Sequence, residues 1–396
     1  MWNYVSAVIG SADEENILLN ECIKSSITDL YCFVTEELIH ANAEAMRGFN
    51  ASANALGIRC WGLDGDRDYF SDGSGLPGLI ANVDAVAAFN AASSTAQKFC
   101  GFQIDNEPPD TGSFKSFHNG IASSVLSATA GSGVWQSTAA LDRENLMRDW
   151  VEMHRQCKAR CANNGLLFAS ALPTWFDDYF GESITCTYDH NDGAGPVGQN
   201  IFLHLARYID VICVMSYVTS TAKLVDRIRY EAEAAAAMPS IQIGNSIETV
   251  AGVGQGISYG DTRGKQTKAA VLADLNAAAA MYSGLPAYNW TNIHDWSGWK
   301  ALRPASIDTS IPVPGPVETV RSIPVKERPR ETVSLSAATI PETAAVGTVI
   351  GRFGGGRNYT LSDDRAGYFE IVVDELRVAR RPLKAGNYMI KVTSNH

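Results

Sequence analysis

Eight short apolar runs, rich in Val, Ile, Phe, Tyr and Cys, alternate with longer Ala-rich amphipathic stretches over about the first 300 of the 396 residues. The runs predict strands at Trp2–Ile9, Asp29–Val34, Gly57–Leu63, Lys98–Asp105, Leu166–Leu172, Ile209–Tyr217, Ser240–Ile247 and Tyr288–His294. The stretches predict helices at about 14–25, 37–55, 82–96, 141–163, 197–207, 221–237 and 266–282, with a last helix just after Trp299. A strand–helix unit repeated eight times closes most economically into an α/β fold, the (β/α)₈ TIM barrel.

The boundaries of these units carry their own signals. Asp142 is placed to cap a long helix, and Gly57 and Gly165 end helices just before strands. A doubly wound open sheet is the structural alternative, but it would normally need a glycine-rich phosphate turn after the first strand if it bound a dinucleotide. No such turn follows the first strand, so the barrel is the preferred prediction.

The character of the sequence changes after residue 303. A proline-rich stretch predicts an extended linker over 304–331, and the remainder, 332–396, has short alternating strands between Gly, Asp and Asn turns. This pattern predicts a small all-β sandwich after a barrel domain at 1–303. The segments IPETAAVGTVIG, YTLSDD, FEIVVDELRVA and LKAGNYMIKV resemble a cadherin-like or immunoglobulin-like module. The acidic run that binds calcium between cadherin repeats is missing, so the resemblance does not imply calcium binding.

Charge and cysteine usage limit the partners and the compartment. The formal net charge is −11 and no Lys/Arg cluster occurs, which argues against nucleic acid as a partner. The eight cysteines lie mostly inside apolar runs, so we expect free thiols; Cys157 and Cys161 lack a second pair to complete a zinc site. With no signal peptide and no membrane-length apolar window, we expect a cytoplasmic or virion-associated protein without membrane insertion.

In a barrel, functional residues come from the carboxyl ends of strands and the loops that follow. The fourth strand ends in KFCGFQIDNEPPD, which puts Asp105 and Glu107 two residues apart and on the same face. A Glu among strand ends and aromatic rings would have its pKa raised by burial, as a general acid at neutral pH requires. Glu107 is therefore the central catalytic candidate, with Asp105 beside it.

Other strand ends contribute further candidates. The sixth strand brings Tyr217 to the same rim, and the seventh brings Glu248. Aromatic faces stack on sugar rings, so tryptophans around acids are typical of a carbohydrate cleft. On this basis the expected substrate-binding residues are Trp61, Asp64, Trp175, His294, Asp295 and Trp296.

The stretch CGFQIDNE resembles the signature of chitinase-like glycoside hydrolases, in which the last Glu protonates the glycosidic oxygen. Asp105 and Glu107 match its last two acids, Met215–Tyr217 is similar to its sixth-strand Met-x-Tyr, and Trp296 to its eighth-strand Trp. Cys100 and Gln103 stand where that family usually has acids. This departure affects the relay of protons between aspartates that the family uses.

Two further resemblances cover the same segment. Asn106-Glu107-Pro108 is similar to the acid/base motif of the large retaining clan that includes cellulases, and Glu248 matches that clan's nucleophile. The chain also resembles bacterial barrel proteins with D-x-E-P, M-x-Y, G-x-x-x-E-T and I-H motifs, here beginning at Asp105, Met215, Gly244 and Ile293. That group brings no established reaction. All three resemblances single out Glu107.

The leading hypothesis is a retaining glycosidase acting on a bacterial surface or N-acetylated polysaccharide, with no cofactor. The second reactant is either Glu248 or a substrate N-acetyl group steadied by Asp105 and Tyr217. The alternative is a non-catalytic carbohydrate-binding protein of a phage tail, virion or adhesin, which forms homo-oligomers or joins a virion through its C-terminal domain. A metal-dependent hydrolase is disfavoured because the first strand lacks a His-x-His pair.

Overall fold

The computed structural model describes most of the chain up to residue 304 and only separate strands beyond it. The described residues are 1–4, 8–65, 75–105, 107, 113–115, 125–127, 140–179, 182–238, 241–285, 287–304, 334–335, 348–354, 357–363, 369–372, 375–378 and 391–395. The chain forms two compact units, Met1–Ile307 and Asp308–His396. The predicted linker at 304–331 lies, apart from its first residue, outside the described residues.

A single eight-stranded sheet forms the first unit, with every neighbouring pair of strands parallel. Its strands are β1 (Trp2–Tyr4), β2 (Asp29–Phe33), β3 (Arg59–Asp64), β4 (Gly101–Asp105), β5 (Leu167–Pro173), β6 (Val211–Met215), β7 (Gln242–Glu248) and β8 (Tyr288–His294). Spatial order follows chain order from β1 to β8. This arrangement is TIM-barrel-like, and it excludes the doubly wound sheet, whose strand order reverses at a switch point.

The two ends of the strand series meet through side chains. The Trp2 ring of β1 packs edge-on against the His294 ring of β8, with 4.8 Å between ring centroids. The sheet is therefore curled far enough to bring its first and last strands together.

Helices follow the strands as the alternating pattern predicts. They are α1 (Ala12–Lys24), α2 (Glu36–Ala55), α3 (Gly75–Ala91), α4 (Ala140–Asn163), α5 (Ile201–Leu205), α6 (Thr221–Asp226), α7 (Arg229–Ala235), α8 (Lys268–Met281) and α9 (Trp296–Ala301). Several predicted bounds are wrong. The first strand, expected to reach Ile9, ends at Tyr4, and the helix expected from residue 197 begins at Ile201. The long helix α4 begins at Ala140, before Asp142; the single helix at 221–237 is two short helices; and the last helix begins at Trp296 rather than after Trp299.

The loops hold short antiparallel strand pairs that the sequence pattern does not predict. Two of them follow β5 and join 178–179 to 182–183 and 185–189 to 196–200. A third, 113–115 with 125–127, follows β4. The first two add structure to the carboxyl side of the sheet, where the loops after strands lie.

Side chains alternate between two cores, as the two-residue period of a strand requires. Tyr31 and Trp61 point inward with Ala169, Cys213 and other residues of one inner cluster. Their strand neighbours Leu30 and Cys60 belong to the larger outer cluster that packs against the helices. All eight cysteines are free thiols, and all except Cys100 are buried.

In the second unit the described residues form antiparallel strands. These are β9 (Ser334–Leu335), β10 (Val349–Gly354), β11 (Arg357–Asp363), β12 (Phe369–Val372), β13 (Glu375–Val378) and β14 (Lys391–Asn395). One sheet has the order β9-β10-β13-β12, and β11 pairs with β14. The sandwich and its cadherin-like character stay predictions. Across the described parts of the chain, no helix combines the length and the apolar character that crossing a membrane requires.

Candidate functional site

Polar side chains gather where the strands of the parallel sheet end. Asp105, Glu248 and His294 are the last residues of β4, β7 and β8, and Tyr217 lies two residues beyond β6. Glu107 lies two residues beyond β4 and is partly exposed. The carboxyl ends of parallel strands meet at one edge, so the five residues share one end of the sheet.

Glu248 and His294 form a direct pair between adjacent strands. His294 Nδ1 lies 2.7 Å from Glu248 Oε2, and the other oxygen, Oε1, accepts the backbone N–H of Val250 at 2.6 Å. The Glu248 side chain is only 6% exposed. Each oxygen of the Glu248 carboxyl group therefore has its own polar contact, one with a side chain and one with the backbone.

The charge of His294 follows from this pairing. Burial acts to lower the pKa of His294, but the hydrogen bond and charge of Glu248, with the charges of Asp295 and Asp105, outweigh it and raise the pKa. The imidazole is therefore cationic over a wider pH range than a free histidine. It places one positive charge among the carboxyl groups.

Asp105 has the opposite environment. Its Oδ1 atom is buried and has no hydrogen-bond partner among the described residues. Burial raises the pKa of Asp105 to about 6, with His294 opposing part of the rise. The neighbouring backbone is close: a Cβ on Gly65 would lie 2.2 Å from the Asp105 carbonyl oxygen, so only glycine fits there. Asp105 therefore exchanges a proton near neutral pH, unlike an ordinary aspartate.

Tyr217 connects the group. Its N–H donates to the Ser246 carbonyl oxygen of β7 at 3.1 Å, and its ring centroid lies 6.0 Å from that of His294. The backbone φ angle is +37°, a left-handed conformation that is unusual for a tyrosine. Burial, followed by the electrostatic effects of Asp105, Cys213, Glu248 and Glu107, raises the Tyr217 pKa well above its usual value. The phenol thus stays protonated and available as a donor.

Trp61 and Asp64, expected to bind substrate from β3, are held by other contacts. Trp61 is fully buried, and its Nε1–H donates to Asp29 Oδ1 at 2.7 Å, at the amino end of β2. That prediction is wrong, because the ring fills the opposite end of the sheet. Asp64 does lie at the carboxyl end, but its oxygens accept hydrogen bonds from Gly65 N at 2.8 Å and Asn82 Nδ2 at 2.5 Å.

Asp295 and Trp296, expected in the same role, belong to the start of α9. Asp295 Oδ1 accepts from Gly298 N at 2.9 Å and Ser297 Oγ at 2.6 Å, so it caps the helix. Trp296 is 6% exposed. Neither fits a substrate-binding surface, since one is occupied as a cap and the other is buried. Trp175, in the loop after β5, is partly exposed and stays a candidate.

Beneath the strand ends lies a layer of three polar side chains, of which the sequence pattern singles out only Gln103, as a departure from the chitinase-like signature. Gln103, Ser246 and Asn292 lie two residues before Asp105, Glu248 and His294, and all three are buried. Both amide atoms of Gln103 lack hydrogen-bond partners among the described residues. Burial raises the pKa of the nearby Cys213 to about 12, with Asn292 and Ser246 opposing the rise. The two-residue period could have found this layer, because residues i and i−2 share a face.

The arrangement is suited to proton transfer and to stabilising positive charge. It combines a carboxyl group with a raised pKa, Asp105, an imidazole whose pKa is also raised, and a phenol that stays protonated. Within the residues described, no group of three Asp, Glu, His or Cys side chains is placed to hold a metal ion.

No protein-family model and no curated protein matches the sequence. Among solved structures, a modular endo-beta-1,4-mannanase of glycoside hydrolase family 26 from Cellulomonas fimi is similar at a TM-score of 0.41 and 13% identity, covering 93% of this chain and 86% of that one. A plant class V chitinase mutant from Cycas revoluta has a TM-score of 0.39 at 12% identity, covering 63% of this chain and 67% of that one. A D-psicose 3-epimerase from Clostridium cellulolyticum H10 has a TM-score of 0.37 at 10% identity, covering 72% of this chain and 98% of that one. All three TM-scores lie below 0.5, so function has to be argued from the side chains.

Proposed function

We propose that this protein is a glycoside hydrolase in which Glu107 is the general acid/base. One observation carries the proposal: the negative charges of Asp105, Glu107 and Glu248 all act on the hydroxyl group of Tyr217. Carboxyl groups from two strand ends, β4 and β7, therefore act on one phenol. Glycoside hydrolysis needs a pair of carboxyl groups flanking the scissile bond, and this cluster supplies candidates for both.

Glu107 suits the proton-transfer role by its position. It lies beyond the end of β4 and is partly exposed, whereas Glu248 and Asp105 are held deeper. A leaving-group oxygen of a bound sugar would approach from the open side of the site. Glu107 would give its proton to that oxygen and later take one from the attacking water.

Glu248 is the proposed nucleophile. Its carboxylate would attack the anomeric carbon as the leaving group departs with the proton of Glu107, and water would then release the sugar with retained configuration. Val250 N–H and His294 hold its two oxygens in place for this step. The retaining geometry calls for about 5–5.5 Å between the carboxyl groups of Glu107 and Glu248.

A substrate-assisted reaction is the second candidate, and the state of Asp105 favours it. An orphaned Oδ1 and a pKa near 6 leave Asp105 ready to bond the N–H of a substrate acetamido group. Tyr217 would donate to the same group. In this version the acetamido oxygen attacks the anomeric carbon, and only N-acetylated sugars react.

The polysaccharide itself is identified by digestion. Chitin, peptidoglycan and bacterial exopolysaccharides are incubated with the protein and with Glu107→Gln, and reducing ends are counted. We expect release by the wild type and at least about 10³-fold less by the variant, since the acid is lost. Equal release by both would reject the enzyme. Binding without release would favour a carbohydrate-binding virion or tail component.

The nucleophile is identified by trapping. A 2-deoxy-2-fluoro glycoside of the cleaved sugar leaves a stable ester on an enzymatic nucleophile, and peptide mass spectrometry locates it. We expect the label on Glu248 and none on Glu248→Gln. An unlabelled wild type that cleaves only N-acetylated substrates would support the substrate-assisted version instead.

A further inference from the structure

A separate cavity of about 410 Å³ lies beside the segments that follow β5 and β6. Its wall includes Asp177 from the first segment and Asp226, Arg227, Tyr230 and Glu231 from α6, α7 and the turn between them. None of the five residues of the proposed catalytic site lines it. Its volume is in the range of about 300–1,000 Å³ that small-molecule sites occupy.

Two carboxyl groups in this wall are almost completely buried. Asp177 is 5% exposed and Glu231 is 3% exposed. Burial raises the pKa of Asp177 to about 6, against backbone hydrogen bonds that lower it. Burial and the charge of Asp177 raise the pKa of Glu231 to about 8. Near neutral pH the pair therefore retains about one proton.

Glu231 lacks a side-chain partner within the described part of the chain. Its carboxyl group interacts with its own backbone N–H, and no other described residue donates a hydrogen bond to it. A carboxyl group buried in a cavity wall with only its own backbone N–H as a described donor keeps acceptor positions unfilled, which is costly to the fold. Such a group is a natural place for a ligand that donates hydrogen bonds.

The positive charges nearby do not supply that partner. Arg227 donates to the Ser216 carbonyl oxygen, and burial alone lowers the pKa of its guanidinium group. Arg229 pairs with Asp226 at 2.8 Å on the exposed side. The carboxyl groups of Asp177 and Glu231 therefore face the cavity without an ion pair to either arginine.

We propose that this cavity binds a small polyhydroxylated amine, an amino sugar with a free amino group, and that its ammonium group lies between Asp177 and Glu231. An ammonium ion has three donors and a positive charge, which matches two acceptors in one wall. The Tyr230 ring, 47% exposed at the cavity, offers a face for the apolar side of a sugar ring. Since no three metal ligands converge within the described residues, a metal ion fits the cavity less well.

This inference does not depend on the glycosidase proposal, and calorimetry tests it directly. Glucosamine is titrated into the full-length protein at pH 6.5, with N-acetylglucosamine and glucose as neutral comparisons. We expect glucosamine to bind and the two neutral sugars to bind at least about tenfold more weakly. Titration in two buffers of different ionisation heat should show about one proton released for each glucosamine bound, because the ligand's charge displaces the proton of the pair.

Variants of α7 localise the site. Glu231→Gln should weaken glucosamine binding at least tenfold and abolish the proton release, whereas Glu233→Gln, an exposed Glu on the same helix, should leave both unchanged. Asp177→Asn provides a second variant, and circular dichroism checks that each one folds. Three results would each overturn the proposal: no glucosamine binding by the wild type, equal binding of N-acetylglucosamine, or wild-type binding by both Glu231→Gln and Asp177→Asn.

Discussion

His294 Nδ1 and Glu248 Oε2 lie 2.7 Å apart, and this contact joins the last residues of two adjacent strands. The pair involves a histidine whose pKa is raised in the folded protein despite its burial. A raised histidine pKa gives stability that is fully present below the unfolded value of about 6.5 and is lost as pH rises through the folded value.

We therefore expect His294→Gln to be more destabilising at pH 6 than at pH 9. Urea unfolding of the wild type and the variant at the two pH values measures this difference. His40→Gln, a change to an exposed histidine of α2, is the matched control and should show no such dependence. A penalty that is equal at both pH values would mean that the pair is not charged.

Asp105→Asn tests the second raised pKa of the site, and it should stabilise the fold where His294→Gln destabilises it. The folded pKa of about 6 is above the ordinary value, so the ionised form of Asp105 destabilises the folded protein. This loss of stability is absent below about pH 4 and complete above about pH 6. Asparagine carries no charge, so the variant should gain roughly 1–3 kcal/mol in unfolding free energy at pH 8 and nothing at pH 4. Chemical denaturation measures both values, with the exposed Asp13→Asn as control. A gain of the same size at pH 4 would show that ionisation is not the cause.

Strand ends were predictable because a two-residue period and a parallel order together fix which residues meet. Asp105, Glu107 and Glu248 are all found this way, since each ends or follows an apolar run. Depth within the sheet is harder to predict. Trp61 shares the inward face of the sheet but lies nearer its amino end, where its ring N–H donates to Asp29. The sequence pattern does not tell how far along the strand axis a side chain lies from the active-site end.

The exact start of a helix and the structure of the loops are also hard to predict from the sequence. The sequence pattern predicts the last helix after Trp299, which would leave Asp295 in the loop that follows β8. The helix begins at Trp296 instead, so the Asp295 side chain caps it. The hairpin of 178–179 with 182–183 involves only two residues on each side. So short a pairing has no periodicity to detect.

Gln103→Met tests whether the buried layer is kept for function. Gln103 is fully buried, and neither amide atom has a hydrogen-bond partner among the described residues. Methionine has a similar shape and no such groups, so we expect the unfolding free energy to rise by about 1–3 kcal/mol. Turnover should fall if Gln103 supports Asp105 from below. A stabilised variant with unchanged turnover would assign Gln103 no role in the reaction.

Tyr217→Phe separates the phenol from its ring. The ring packs at 6.0 Å from His294, and the backbone hydrogen bond to Ser246 does not involve the hydroxyl group, so the variant should keep the fold within about 1 kcal/mol.

The hydroxyl group is different, because burial, and after it the charges of the neighbouring carboxyl groups, raise its pKa well above the usual value of a tyrosine. A donor that stays protonated and faces developing charge is typically worth about 10²–10³-fold in kcat. We expect a loss of that size on the polysaccharide that the wild type cleaves, with the pH profile keeping its shape, since Tyr217 does not titrate there. If the pH profile of kcat for Tyr217→Phe lost one of its two limbs, Tyr217 would itself be the titrating acid. If kcat were undiminished, Tyr217 would have no role in the reaction.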